Sequence, residues 1–424
     1  MIPKLLRILF HIGRALLALA VIGGEFYWWE TRPLPGPLGE VVGPDEDIRI
    51  AEAINASMVL ATQDHDIRWQ QVRDNSFRRD VHGKTPGCVK AAFTVLDNLA
   101  SPYRFGLFAK PGEYKGWLRF SNGNHQFKPD YAGDVRGVAL KVTGVPGEKL
   151  LESERDALTQ DFVLMNSPVY FFRDVSVYAH FSTMLGWGPN LFKYGEAGVL
   201  LRDTLPLLNY RWNPLAWNWR SLIGAAVAQR PPPPSPLHQR YWSASAYTLG
   251  PQQYVKYSVI PRPCPPDTAL PAPPPIPDND DNFLRTNLKR TLAARPWCFD
   301  FAVQLQVPGK NMPVEDPTIP WEEKDSPFVT VAQIQIPRDP SGEFDTPPYA
   351  CFCEALAMNP WHALPDHRPV GVFNRIRKNV YQEGARFRRT KMDATQAEPT
   401  GWELSLTTRD CAGPAPAPKT AGLR

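Results

Sequence analysis

The sequence lacks the features of a nucleic-acid-binding protein and of a scaffold held together by disulfides. Its 424 residues carry 47 basic and 43 acidic side chains, a net charge of +4, and no long basic run. This mild charge argues against recognition of a phosphate backbone, and no nucleic-acid motif is present. Six cysteines without a CxxC motif do not make a disulfide-rich chain. The apolar content of 43% is enough for a core in one large domain or two modest ones.

Cysteine and proline each give one structural expectation. Cys351 and Cys353 flank Phe352 and are predicted to share one face of a strand as small buried apolar residues. Disulfides stay open if the domain lies outside the cytoplasm. The 46 prolines are roughly twice the average share, which suits long extended connections and disfavours a helical bundle.

Residues 1–30 differ from the rest of the chain. Lys4, Arg7 and Arg14 would fall on one helical stripe, and the apolar stretch 15–24 is too short to span ~30 Å of hydrocarbon. Three interpretations stay open: a helix lying in the membrane interface, a signal or signal-anchor, and an amphipathic arm packed on the protein. We expect a membrane surface as a partner of residues 1–30. The expected location is membrane-associated or periplasmic and secretory, with the cytoplasmic face left open.

The rest of the chain predicts an α+β fold. Expected in order are a linker at 31–47, a helix at 48–75, short strands between 78 and 175, a mainly helical stretch at 174–227, and strand pairs within 241–260 and 299–336. No regular βαβ alternation is present, which argues against a doubly wound parallel sheet. We predict an antiparallel β-barrel with helical excursions and C-terminal helices in a domain covering 48–395. A Pro- and Ala-rich tail at 396–424 is predicted to be partly disordered.

Three residues near the end of the predicted domain can form one cationic face around a phenol. On a helix at ~100° per residue, Arg377, Tyr381 and Arg388 fall within roughly 40° of one another. A phenol in such a field loses its proton more easily, and a phenolate is a hard anionic ligand for ferric iron. Tyr is one of the few side chains used as an axial haem ligand. The alternative interpretation of this pattern is a solvated basic face.

A second group of polar residues lies in the first half of the chain. In a strand, Arg119 and Ser121 face the same way. A buried Ser hydroxyl can bond one ring nitrogen of His82 and leave the other nitrogen as a base. Asn166 either places an amide in the same pocket or closes a turn before a proline. Arg79 and His82 are three apart and cannot share a face of a regular strand, so a strand end or a bulge is needed there.

In their order and internal spacing, these blocks resemble the haem-dependent catalase family. The resemblance covers roughly residues 70–390. The matching blocks are Arg79-x-Val81-His82, Leu118-Arg-Phe-Ser121, Asp134-x-Arg-Gly137, Asn166-Ser-Pro-Val-Tyr-Phe-Phe-Arg-Asp174, and Arg377-x-x-x-Tyr381 with Arg388. Each block alone is weak, but five in the family's order form a specific signal.

The resemblance implies a barrel of the catalase type that binds haem b through its iron. It implies that Tyr381 is the proximal ligand and that Arg377 hydrogen-bonds its phenolate. It implies that His82 is the distal base, oriented by Ser121, with Asn166 as the second distal polar group. The other implied roles are contacts with the haem propionates by Arg79, Arg119 and Arg388, and shaping of the distal pocket by Val81 and Phe171.

The implied function is a catalase or peroxidase that decomposes hydrogen peroxide. The run Asn379-Val380-Tyr381-Gln382-Glu383-Gly384 departs from the aromatic-Ser-Tyr-x-Asp-Thr pattern of long catalases. The runs His367-Arg-Pro-Val-Gly-Val-Phe-Asn374 and Pro317-Thr-Ile-Pro-Trp321 are similar to a divergent branch whose relatives handle organic hydroperoxides. The alternatives are therefore a fatty-acid hydroperoxide isomerase or dehydratase, and a haem-binding protein without turnover. A homo-oligomer is expected by the same resemblance, and nothing indicates bound NADPH.

Overall fold

A computed structural model describes most of the chain between residues 21 and 404. The described residues are 21, 23–29, 36–72, 79, 81–124, 128–187, 217, 219–228, 231–394 and 397–404. The helices are α1 (Glu46–Val72), α2 (Val175–Trp187), α3 (Trp219–Ala228), α4 (Phe283–Ala294), α5 (Pro347–Ala355) and α6 (Val372–Lys391). The strands are β1 (Gly87–Val95), β2 (Gly112–Asn122), β3 (Arg136–Thr143), β4 (Thr159–Met165), β5 (Tyr241–Trp242), β6 (Tyr247–Thr248), β7 (Tyr254–Arg262), β8 (Trp297–Leu305) and β9 (Val329–Ile336).

Eight of these strands close into an antiparallel barrel. Their order is β5-β4-β3-β2-β1-β9-β8-β7, and pairing of β5 with β7 closes the ring while β6 extends from β7. Tyr241 lies opposite Val259 at the closure. Every pairing between the described strands is antiparallel. Helix α1 precedes the strands in the sequence, and the other helices lie between or after them. The predicted α+β class and the predicted antiparallel barrel are confirmed.

Aromatic side chains fill the barrel interior. Phe162 of β4 packs against Phe301 of β8 with ring centroids 4.7 Å apart, and Tyr257 of β7 contacts both rings. His367 completes this cluster, because its Nε2 accepts from the Leu107 amide at 2.9 Å and its Nδ1 lies 3.0 Å from the Tyr257 hydroxyl. Burial lowers the pKa of His367 to about 3, so it is a neutral core residue at physiological pH. A ligand space must therefore lie on the outer face of the sheet.

Most predicted elements are found, and one interpretation is wrong. The helix expected at 48–75 is α1, and the two strands expected within 299–336 are β8 and β9. Cys351 and Cys353 lie on helix α5 and not on a strand, because Pro347 and Pro348 stand in its first turn, where proline favours helix initiation. Cys353 is buried as expected, whereas Cys351 is half-buried.

One disulfide joins a proline-rich connection to the barrel. Cys264 follows β7 and is bonded to Cys298 of β8, with Cα atoms 5.2 Å apart. Buried Cys88 and Cys353 are free thiols. The sequence left disulfides open; the described residues form this one, and Cys351 is disulfide-bonded as well.

The termini leave several expectations untested. Among the described residues, no helix combines the length and apolar character needed to cross a bilayer. Lys4, Arg7 and Arg14 lie outside the described residues, as does the tail beyond residue 404. The domain divisions near residues 30, 47 and 395 stay predictions.

Candidate active site

A cavity of about 400 Å³ lies between the outer face of strands β2 to β4 and helices α1, α2, α3 and α6. Nine of the ten predicted site residues line it: Arg79, Val81, His82, Arg119, Ser121, Phe171, Arg377, Tyr381 and Arg388. They come from segments up to about three hundred residues apart, so the fold brings both predicted groups into one space. Asn166 is the exception.

His82 is placed by a left-handed backbone turn ahead of β1. Its φ is +59°, a conformation that non-glycine residues adopt rarely and at a cost of about 1–3 kcal/mol. The His82 amide donates to the Gly123 carbonyl at 3.2 Å, which ties this turn to the end of β2. The sequence required an irregularity between Arg79 and His82, and this turn provides it. Strain of this kind is typical of functional positions.

The imidazole of His82 is half-buried, neutral and oriented by Ser121. Its Nδ1 lies 2.9 Å from Ser121 Oγ, which leaves Nε2 for a ligand. Burial, reinforced by the charges of Arg119, Arg377 and Arg79, lowers the pKa of His82 to about 3. At physiological pH the ring is therefore able to accept a proton.

The absence of a side chain at Gly137 makes this pairing possible. Gly137 lies on β3 directly opposite Ser121 on β2. A Cβ atom at this position would stand 2.8 Å from both His82 Cε1 and Ser121 Oγ. Glycine is thus the residue type that leaves room for the His82–Ser121 contact.

Helix α6 places Tyr381 on the cavity wall with Arg377 one turn before it. Tyr381 is half-buried, and the Arg377 guanidinium lies 5.8 Å from the centre of its ring. Arg377 does not hydrogen-bond the Tyr381 hydroxyl in this structure. It donates instead to the Tyr170 hydroxyl, to Ser245 Oγ at 3.2 Å and to Asn374 Oδ1 at 3.2 Å. The hydrogen bond implied between Arg377 and the phenolate of Tyr381 stays a prediction, because Tyr170 from another segment contacts the guanidinium in this structure.

A cluster of arginines lines one edge of the cavity. Arg79 donates to Glu354 Oε2 at 3.0 Å, and Arg119 lies 3.5 Å from the other oxygen of the same carboxylate. Arg119 also donates to the His82 carbonyl at 2.8 Å and to Thr85 Oγ1 at 2.6 Å. Its Nε is buried and has no hydrogen-bond partner. Burial and the neighbouring Arg119 lower the pKa of the Arg79 guanidinium.

Arg388 extends this positive edge along helix α6. It is buried and lines the same cavity as Arg79 and Arg119. Among the described residues, Arg79 and Arg119 share the single carboxylate of Glu354. The edge is thus suited to an anionic group.

Asn166 does not serve the cavity as predicted. Its Oδ1 accepts from the Arg136 amide at 2.7 Å, and its Nδ2 donates to Gln239 Oε1 at 3.1 Å. Both ends of the amide are therefore used in holding the turn after β4. The preceding residue, Met165, lines the cavity in its place and packs with Val135 and Phe171.

Sequence reasoning missed Met165, Tyr170 and Tyr178 as cavity residues. A signal for Met165 was present, because residues 161, 163 and 165 share one strand face while Phe162 and Leu164 fill the barrel core. Tyr170 and Tyr178 gave no such signal. Their positions depend on how the loop after β4 and helix α2 fold over the sheet.

Comparison with known proteins decides the fold. No family model and no curated protein matches the sequence. A bacterial catalase structure matches with a TM-score of 0.53 and 19% identity, over 76% of this chain and 58% of that chain.

The chain has the catalase fold. Catalase A from Saccharomyces cerevisiae has the same fold, with a TM-score of 0.50 and 17% identity over 74% of this chain and 62% of that chain. The chain thus spans less than two thirds of the length of these catalase structures. At such identities the likeness establishes a divergent catalase-like fold and leaves the chemistry to the site itself.

Proposed function

We propose that this protein is a haem-dependent oxidoreductase that acts on a peroxide. The observation that carries the proposal is the convergence of His82, with a free Nε2, and Tyr381 on the walls of one largely apolar cavity. The catalase fold and the order of the sequence blocks support it. Oligomeric state and location stay predictions. The structure contains the Cys264–Cys298 disulfide, and disulfides are more common in proteins outside the cytosol.

The residues present fit a haem group. A phenol is an established axial ligand, and Tyr381 offers one on the cavity wall. Haem carries two carboxylates, and the edge with Arg79, Arg119 and Arg388 would hold them. The Nε of Arg119 has no hydrogen-bond partner in this structure and would donate to one of these carboxylates. The cavity volume of about 400 Å³ lies within the range of cofactor pockets, roughly 300–1,000 Å³.

The chain's own residues would handle proton transfer and access. Bound haem would supply the redox chemistry at its iron. His82 Nε2 would accept the peroxide proton and return it to the leaving oxygen, since its pKa of about 3 keeps it neutral. Ser121 holds Nδ1 and so fixes the ring orientation during that transfer. Val81 and Phe171 would exclude water from the distal side.

The test is peroxide consumption by haem-loaded variants. His82→Gln should retain haem and lose activity by roughly 100-fold or more, the usual range for a general base. Ser121→Ala should lose less, because it removes only the orienting contact. Peroxide consumption by His82→Gln at the wild-type rate would contradict the proposal.

A second candidate, an organic hydroperoxide enzyme, is favoured by the position of Asn166. Hydrogen peroxide decomposition was expected to use its amide in the distal pocket, yet the structure uses that amide in a turn and offers Met165 instead. An apolar distal wall suits an alkyl group beside the peroxide. Dioxygen release from hydrogen peroxide supports the first substrate, and epoxide or ketol formation from a fatty-acid hydroperoxide supports the second. Haem binding without either product would leave a haem-binding protein without turnover.

A further inference from the structure

An aromatic patch, formed by Phe26, Tyr27, Trp28 and Trp29, stands beside helix α3. Residues 23–29 are helical, and these four side chains expose 39, 52, 64 and 57% of their surface. The Phe26 ring meets the Trp219 ring edge-on, with centroids 5.3 Å apart. Trp219 is the first residue of α3. The patch is therefore in contact with an element that walls the cavity.

Large aromatic side chains in water mark an interaction surface. Among the described residues, Trp28 and Trp29 are the tryptophans that are mainly exposed. Trp and Tyr are enriched at membrane–water boundaries, where the ring lies in an apolar environment and the N–H or O–H group remains hydrated. Contiguous exposed apolar patches indicate binding of a partner or a membrane.

The charge of the adjoining sequence favours an anionic lipid surface. Residues 1–20 contain Lys4, Arg7 and Arg14 and no acidic residue, whereas Glu25 and Glu30 flank the patch itself. Basic side chains beside interfacial aromatics attract anionic headgroups.

Helix α3 links the patch to the cavity by an apolar path. Leu222 and Ala225 line the cavity, and both pack with the cluster that contains Phe171 and Phe172. Six residues of helix, roughly 9 Å, separate Trp219 from Ala225. An alkyl chain that enters beside the patch would thus meet apolar side chains along its length.

We propose that the aromatic patch docks on an anionic lipid surface and that the cavity takes from it a hydroperoxide with a long apolar chain. The substrate part of this inference rests on the proposed function, whereas the docking part does not. The α3 wall would hold the chain while the peroxide group reaches His82.

Docking is tested by sedimentation of the full chain with phospholipid vesicles. Vesicles containing phosphatidylcholine and phosphatidylglycerol should bind the protein, and salt should weaken the binding because part of it is electrostatic. Trp28→Ala/Trp29→Ala should bind roughly tenfold less tightly. The matched control is Leu158→Ala/Ile276→Ala, which removes side chains of similar exposure, 46 and 44%, in other segments and should bind like the wild type.

Activity distinguishes failure of docking from failure of the proposed function. On haem-loaded protein, Trp28→Ala/Trp29→Ala should lose roughly tenfold in rate on linoleic acid hydroperoxide held in vesicles. Its rate on water-soluble tert-butyl hydroperoxide should not change, because neither Trp lines the cavity.

Each part of the inference has its own contradicting result. Absence of vesicle binding by the wild type overturns docking, even if tert-butyl hydroperoxide is consumed. Self-association that depends on Trp28 and Trp29, without vesicle binding, identifies a second copy as the occupant and also overturns docking. Vesicle binding without consumption of linoleic acid hydroperoxide overturns the substrate part while docking stands. The proposed function is overturned as well only if hydrogen peroxide and tert-butyl hydroperoxide are not consumed either.

Discussion

At the scale of single residues, His82 makes the stability of the protein depend on pH. Its folded pKa of about 3 lies below the unfolded value of ~6.5, so unfolding takes up a proton at intermediate pH. The contribution is present above pH ~6.5 and is lost as the pH falls towards 3. Between pH 7 and pH 5 the free energy of unfolding should fall in both proteins. We expect the fall in His82→Gln to be smaller than the fall in the wild type by about 2 kcal/mol.

Urea unfolding at both pH values measures this difference. His367 has the same depressed pKa of about 3 and remains in the variant, so part of the pH dependence should persist. An equal drop in wild type and His82→Gln would show that His82 is not held neutral by the fold.

Gly137 gives a sharper test of the His82–Ser121 contact. A methyl group there would collide with both side chains, so Gly137→Ala should separate them. We expect peroxide consumption to fall roughly 10- to 100-fold, while haem binding through Tyr381 persists. The measurement is the rate per bound haem, with Ser121→Ala as the control for loss of the contact without added bulk. A wild-type rate in Gly137→Ala would contradict this geometry.

Residue roles could be predicted from sequence only where they depend on local geometry. The pairing of His82 with Ser121 followed from strand parity and from the known behaviour of imidazole. The partner of Arg377 did not, because Tyr170 comes from a loop two hundred residues earlier and its position is set by tertiary packing. Of the two interpretations of Asn166, the structure shows its amide in the turn after β4, and the alternation of β4 directs Met165 to the cavity.

At the scale of elements, helix α3 should set the length of substrate that the cavity accepts. Ala225 lies on the wall between the patch and the catalytic end. Ala225→Phe should fill that path and reduce the rate on linoleic acid hydroperoxide roughly tenfold, because inserting bulk excludes the chain. The rate on tert-butyl hydroperoxide should remain within about twofold. Equal losses on both substrates would place the alkyl chain elsewhere.

A buried charge network holds the segment at 397–404 on the barrel. Lys141 of β3 bonds Asp161 at 2.8 Å and also Glu398, while His362 lies 2.7 Å from Asp161 and 2.5 Å from Glu154. Burial and Lys141 oppose the charge of His362, but Glu398 and Asp161 raise its pKa to about 9. Glu154, His362 and Glu398 have atoms close enough to ligate a cation, yet the Lys141 ammonium already neutralises this cluster.

The raised pKa of His362 predicts loss of stability at high pH. Its contribution is fully present below pH ~6.5 and is lost as the pH rises through 9. We expect the wild type to lose about 2 kcal/mol of unfolding free energy between pH 7 and pH 9.5 from this group. His362→Asn should be less stable at pH 7 and should show a flatter profile over this range. Parallel profiles in the two proteins would exclude a charged His362.

Element types were more predictable than element contacts. Alternating apolar residues identified β8 and β9, and helical spacing identified α1. The helix α5 was missed because the strand interpretation of Cys351 and Cys353 ignored the two prolines at its start. Closure of the barrel through the two-residue strand β5 depends on long-range pairing, which the local pattern does not contain.

At the scale of the whole molecule, the account depends on one haem group lying between two segments distant in the sequence. His82 precedes the barrel and Tyr381 follows it, so the complete fold is needed before both face one cavity. The catalase fold explains why this convergence occurs at identities below 20% with the matching bacterial and yeast structures.

The most direct measurement is an absorbance titration of purified protein with haem, performed on wild type, Tyr381→Phe and His82→Gln. The account predicts a saturable Soret band in the wild type, together with a phenolate-to-iron band that disappears in Tyr381→Phe. His82→Gln should keep the phenolate-to-iron band. Identical spectra and affinities for wild type and Tyr381→Phe, or no Soret band in any of the three, would contradict it.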